Sequence, residues 1–390
     1  MSNKAAKRGL VPKLRFPAFR EAGEWDEKQV GEVFKVTRGE VLSMTLVQDE
    51  KTNEARYPVY SSQTKNNGLS GYYSDFLYED AITWTTDGAN AGDVNYRSGK
   101  FYCTNVCGVL INTDGYANPC IAALINSVSR SHVSYVGNPK LMNGVMSKIV
   151  VPFPSVKEQQ KIADCLASLD ERITLEAQKL DTLKTHKKGL MQQLFPAEGE
   201  TLPKLRFPEF RNADGWIIKR LCEVADVNAS GDLDPENFSP TKTEDHIYPI
   251  YSNSVTQEGL YGYCTYPKFE KNSVTITARG TLGVAFYRDH EYVGIGRLLV
   301  LSNLNNIVPR YLREVWNYSA KMPLENGGIP QLTAIKARAV ELWMPGKEEQ
   351  QKIADCLASL DDRITAQTQK LTALKTHKKG LMQQLFPAMG

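Results

Sequence analysis

The side chains best suited to chemistry in this 390-residue chain are amides, hydroxyls and guanidines gathered in two sets of polar loops. The first set holds Gln63, Lys65, Asn66, Asn67, Thr85, Thr86, Asn90 and Arg97. The second holds Asn253, Thr256, Gln257, Arg279, Thr281, Arg288 and Arg297. Arg and Lys pair with guanine edges and Asn and Gln with adenine edges, so these residues are the candidates for contact with DNA. Arg279, Arg288 and Arg97 are the first to test. Losing a base contact relaxes one base position, whereas losing a phosphate contact weakens binding uniformly. The same residue types also build solvated turns.

Catalytic constellations are missing. The sequence has no G-x-x-x-x-G-K-S/T phosphate loop, no G-x-G-x-x-G, no H-E-x-x-H and no G-x-S-x-G elbow. Asn118-Pro119-Cys120 and Asn138-Pro139-Lys140 begin like the Asn-Pro-Pro-aromatic motif of adenine methyltransferases but lack the second proline and the aromatic ring. Cys103, Cys107, Cys120 and His132 match no zinc spacing. Asp26-Glu27-Lys28 reads as solvated surface. The expectation is a chain with no catalytic residue, no metal and no cofactor of its own.

The elements that must position the loops are duplicated. Residues 158–197 return as 349–388, with 34 of 40 positions identical. The same offset links VPKLRFPAFR at 11–20 to LPKLRFPEFR at 202–211, and Tyr57-Pro58-Val59-Tyr60 to Tyr248-Pro249-Ile250-Tyr251. Such a repeat sets the architecture before any local signal does. Inside the globular segments the anchors Tyr96-Arg97 and Tyr287-Arg288 match, while Thr85-Thr86-Asp87-Gly88 becomes Thr277-Ala278-Arg279-Gly280. A retained skeleton with changed loops is what two copies reading different things require.

Each 40-residue block reads as a long helix, entered at Ser155 with Glu158 as a capping box and stopped by Pro196. Its heptad seam is Ile162, Leu166, Leu169, Ile173, Glu176, Leu180, Leu183, Lys187, Leu190 and Leu194. The second seam is Ile353, Leu357, Leu360, Ile364, Gln367, Leu371, Leu374, Lys378, Leu381 and Leu385. Eight of ten positions are apolar in each, and the matching stripes favour burial against one another. At 1.5 Å per residue, residues 158–194 span about 55 Å, roughly 16 base-pair rises. Leu175, exchanged for Ala366, lies off the seam. Laid out as a cycle, the C-terminus returns to the N-terminal arm and the helices run antiparallel. His186-Lys187-Lys188 and His377-Lys378-Lys379 in the last turns suit the helix macrodipole as well as they suit DNA.

The predicted fold class is therefore α+β: two globular mixed α/β segments separated by two long antiparallel helices, a coiled coil, with a pseudo-two-fold internal repeat. Short strands are expected at 81–84, 106–111, 148–152, 273–277, 283–287 and 296–301, and helices near 120–128 and 309–320. The divisions are a basic arm at 1–20, globular segments at 21–156 and 212–347, helices at 157–195 and 348–390, and a linker at 196–211 that repeats the arm. The arm carries six Lys/Arg and no acid, whereas 21–156 is net −4. A chain of net charge +3 must bind DNA through local patches or share phosphate neutralisation with partners. Seven cysteines without a dense framework, no signal peptide and no 20-residue apolar run point to the cytoplasm.

The order of arm, globular segment and long helix, repeated twice, resembles the specificity subunit of type I restriction-modification enzymes. The resemblance rests on Leu14-Arg15-Phe16-Pro17, Leu205-Arg206-Phe207-Pro208, the two Tyr-Pro-x-Tyr motifs and Pro154-x-x-x-Glu158-Gln159-Gln160-Lys161-Ile162. The second copy keeps the spacing, with Gly346-Lys347-Glu348 between Pro345 and Glu349 where the first has Ser155-Val156-Lys157. The resemblance implies that 21–156 and 212–347 are target recognition domains, each reading half of a bipartite, asymmetric site. It implies that the helices dock two methyltransferase (modification) subunits, and restriction (motor-nuclease) subunits through them. S-adenosylmethionine, ATP and Mg would then reside in those partners. Three other readings stay open: a subunit serving a methyltransferase alone, a coiled-coil scaffold that binds no DNA, and an enzyme without a recognisable motif, which would require activity from this chain alone.

Overall fold

The structure, a computed structural model, describes residues 10–62, 65–319 and 331–387. The chain divides into two compact units, Met1–Ala177 with Lys370–Gly390, and Gln178–Gln369.

In the first unit the elements run β1 (Asp26–Gln29), α1 (Val30–Val33), β2 (Lys35–Arg38), β3 (Tyr57–Tyr60), β4 (Leu69–Tyr73), β5 (Tyr78–Thr85), β6 (Val94–Cys103), β7 (Cys107–Ile111), α2 (Pro119–Ser129), α3 (Asn143–Met146) and β8 (Val150–Phe153). They lead into α4 (Val156–Leu194). Six strands form one sheet in the order β2-β7-β5-β6-β3-β4, and β1 pairs with β8. Trp84 on β5 lies opposite Gly108 on β7. A Cβ at Gly108 would sit 2.1 Å from the indole, so the glycine makes room for the ring. The indole N–H donates to the Leu141 carbonyl at 3.0 Å. Asn118 caps α2 by accepting from the Ile121 amide at 3.1 Å, with Pro119 at the first helical position. The first Asn-Pro motif is thus a helix start.

The second unit continues with β9 (Ile217–Arg220), β10 (Asp226–Ala229), β11 (Tyr248–Tyr251), β12 (Leu260–Cys264), β13 (Ser273–Ile276), β14 (Ala285–Arg288), β15 (Val293–Gly294), β16 (Leu299–Ser302), α5 (Pro309–Ser319), α6 (Ala334–Arg338), β17 (Glu341–Met344) and α7 (Lys347–Leu385). The strand order is the same, but the counterpart of the ten-residue β6 is broken into β14 and β15. The sheet therefore separates into β10-β16-β13-β14 and β12-β11-β15.

The motifs that open the long helices tie each one to its unit. Arg15 forks onto Glu158 with two bonds of 2.7 Å, and Arg206 onto Glu349 with bonds of 2.8 and 2.7 Å. Both pairs are buried, and the partner carboxylate raises each arginine's pKa through its hydrogen bonds. The next residue faces the domain. Gln159 accepts from Asn118 at 2.8 Å, and Gln350 accepts from the Val308 amide at 2.9 Å. The capping box is only half made. The Glu158 amide reaches the Ser155 hydroxyl at 3.4 Å, but its carboxylate is held by Arg15.

Within each unit the long helices cross antiparallel. In the first, Asp170 of α4 pairs with Lys378 of α7 at 2.5 Å, and Glu176 pairs with Lys370, so the partners run in opposite directions. The seam residues Ile162, Leu166, Leu371 and Leu385 are buried there, and Leu169, Ile173, Leu374 and Leu381 are half-buried. In the second, Lys187 of α4 pairs with Asp361 of α7 at 2.7 Å. Leu180, Leu194, Ile353, Leu357 and Leu360 are buried there, and Leu183, Leu190 and Ile364 half-buried. Leu175 is 57% exposed, off the stripe. Arg313 and Glu314 of α5 join the Lys187–Asp361 pair, and burial pushes the Glu314 carboxyl up. Each arm meets the last turn of a helix. The Leu14 amide donates to the Gln384 carbonyl at 2.9 Å, and Leu205 to Gln193 at 2.8 Å.

Candidate nucleic-acid interface

The same polar turn occurs in both units. It follows β3 as Lys65–Gly68 and β11 as Thr256–Gly259. Its backbone is left-handed over three residues: φ is 51°, 53° and 86° at Asn66, Asn67 and Gly68, and 48°, 52° and 87° at Gln257, Glu258 and Gly259. Non-glycine residues in this region cost about 1–2 kcal/mol each, asparagine less, so the surroundings must hold the turn.

A buried arginine does so. The Arg97 guanidinium stacks on Tyr60 at 3.8 Å, donates to the Thr83 hydroxyl at 3.0 Å and donates to the Asn67 carbonyl at 2.7 Å. Arg288 repeats each contact: Tyr251 at 3.6 Å, the Thr275 hydroxyl at 3.0 Å and the Glu258 carbonyl at 2.7 Å. Their exposures are 8% and 1%. Burial lowers both guanidinium pKa values, opposed by the facing tyrosines. The sequence put both arginines among the base readers. The structure places both in the interior, with their Nε and Nη2 donors engaged by the protein.

A second device gathers loops in the second unit. The Asn253 amide donates to the Gly296 carbonyl at 2.5 Å, and its oxygen accepts from the Ala278 amide at 2.7 Å. It joins the loops that carry Arg279 and Arg297, both exposed, the latter at φ 66°. Asn253 thus ties the loops together with both ends of its amide engaged.

The other candidates sort by exposure. Asn66, Asn67, Thr256, Gln257 and Thr281 are exposed. Thr85 is 8% exposed, and Thr86 is fully buried with its hydroxyl bonded to the Val106 carbonyl at 2.9 Å. Asn90 is half-buried and reaches the Ser62 carbonyl at 3.4 Å. Gln63 lies outside the described residues, as does the Lys65 side chain. Arg97, Asn67 and Thr85 also line a polar cleft of about 220 Å³ with Asn95, Asn126 and Arg130.

Sequence reasoning missed Tyr60, Thr83, Tyr251 and Thr275 as supports of the turns. The signal for Tyr60 and Tyr251 was present in the retained Tyr-Pro-x-Tyr motif. Among the described residues, no cluster of three or more His, Cys, Asp or Glu could hold a metal, and no helix is long and apolar enough to cross a membrane.

Comparison with known proteins agrees with this architecture. The profile of the type I restriction modification DNA specificity domain matches twice, over residues 22–185 and 213–376. S.MpnORF507P of Mycoplasma pneumoniae, which carries the name of a type I specificity subunit, is 30% identical over 336 residues, covering 85% of this chain and 88% of that protein. The specificity subunit of the type I restriction enzyme MpnII of the same organism is 33% identical over 146 residues, covering 37% of this chain and 43% of that one. In fold, the chain is similar to the crystal structure of a type I restriction-modification S subunit from M. genitalium, with a TM-score of 0.71 at 18% identity over 97% of this chain and 100% of that one. With the family profile covering both repeats and a relative matched along most of its length, the chain belongs to the type I restriction-modification specificity subunits.

Proposed function

We propose that this chain supplies sequence choice to a type I restriction-modification complex. Residues 21–156 and 212–347 each read one half of a bipartite, asymmetric DNA site. The long helices set the distance between the halves and dock two modification subunits, through which restriction subunits join. The chain catalyses nothing itself. S-adenosylmethionine, ATP and Mg act in the partner subunits, which also contribute cationic surface around the duplex.

The observation that carries this reading is the contrast between scaffold and tip. The arginine, tyrosine and threonine behind each turn are kept, while Asn66-Asn67 is replaced by Gln257-Glu258 at the exposed positions. Two folds alike inside and different at the tip suit two different half-sites. The test maps methylated adenines across a host genome carrying the modification subunits, with and without this chain. The expected result is a two-part motif that disappears with the chain. Methylation that persists unchanged without it contradicts the reading.

A further inference from the structure

The two turns carry a more specific inference, which rests on the DNA-reading role above. Both are left-handed over consecutive non-glycine residues, both end in glycine, and both are held by an arginine spanning a sheet threonine, a tyrosine ring and the turn's own carbonyl. An arginine meant to read guanine would have its fork free. These forks are turned inward, and the side chains left outside are amides in one unit and, in the other, an amide with the Glu258 carboxylate, which is mostly exposed and has one oxygen 3.6 Å from Arg288 Nη1.

We propose that Arg97 and Arg288 are positioning residues that preset the turns 65–68 and 256–259 as base-reading tips. Asn66 and Asn67 read an adenine in one half-site. Gln257 reads an adenine in the other, with Glu258 placed to accept from a neighbouring cytosine amine. The left-handed backbone turns adjacent side chains outward together, and a turn fixed in advance loses less entropy when it meets DNA. Glycine at the third position has the same origin. A Cβ at Gly259 would come 2.6 Å from the Ser252 carbonyl oxygen, so the turn closes only without one.

The test uses the full chain assembled with its modification subunits and reads the methylated motif genome-wide. Asn66→Ala and Gln257→Ala should each relax one base position in one half-site, lowering discrimination there by about 5- to 150-fold. Arg97→Met should relax the half-site that Asn66→Ala relaxes, and Arg288→Met the one that Gln257→Ala relaxes, with the opposite half intact. Arg97→Lys keeps one donor for the Asn67 carbonyl, so it should relax that half-site less than Arg97→Met does. A merely stabilising arginine would instead lower methylation evenly at every site.

The inference is overturned if the tip variants leave the motif unchanged. It is also overturned if the arginine variants lower methylation evenly at every site without relaxing a base. Should an arginine variant fail to assemble, the exposed tip variants decide. If removing the whole chain leaves methylation unchanged, it is the DNA-reading role that fails.

Discussion

Trp25 and Trp216 hold matching places beside the two arm arginines, yet their hydrogen bonding differs. The Trp25 indole donates to Glu158 at 3.2 Å, whereas the buried Trp216 Nε1 has no hydrogen-bond partner among the described residues. Trp25→Phe should therefore cost about 1.5–3 kcal/mol for the bond to a charged group, in addition to lost packing. Trp216→Phe should cost the packing alone. Urea unfolding of the two variants checks this, and equal losses would contradict the assignment. At this scale the sequence was legible where a residue recurs for packing and misleading where it recurs for support. Arg97 and Arg288 are retained in both copies, and that was itself the sign of a scaffold role, since positions that read different bases should differ. Burial and partner choice, which single out Tyr60 and Thr83, depend on strands far apart in the chain.

The long helices were the most legible elements because a 3.5-residue stripe is local information. The structure explains the polar breaks in that stripe: Glu176, Lys187 and Lys378 each form a cross-helix ion pair. The splitting of the β6 counterpart into β14 and β15 could not be read ahead. Strand continuity depends on pairing partners that lie elsewhere in the chain. From the proposed spacer role, inserting one heptad at matching sites in α4 and α7 adds about 10 Å at 1.5 Å per residue, roughly three base-pair rises. The methylated motif should keep both halves and lengthen its unread spacer. A changed half-site with a constant spacer would contradict that role.

At the scale of the molecule, each unit is completed by chain from elsewhere in the sequence. The first takes the end of α7 into the core that holds Trp25 and Ile162, and the second takes the end of α4 into the core that holds Trp216 and Ile353. This cyclic construction was readable from the order of the repeated motifs, whereas the identity of the DNA site was not, because it resides in a few exposed side chains. The claim that matters most is that two readers act independently on one scaffold. Its most direct test replaces residues 21–156 with the corresponding domain of a relative of different specificity and maps methylated adenines in cells with the modification subunits. The expected motif has one half exchanged and the other half unchanged. A motif altered in both halves, or in neither, would contradict it.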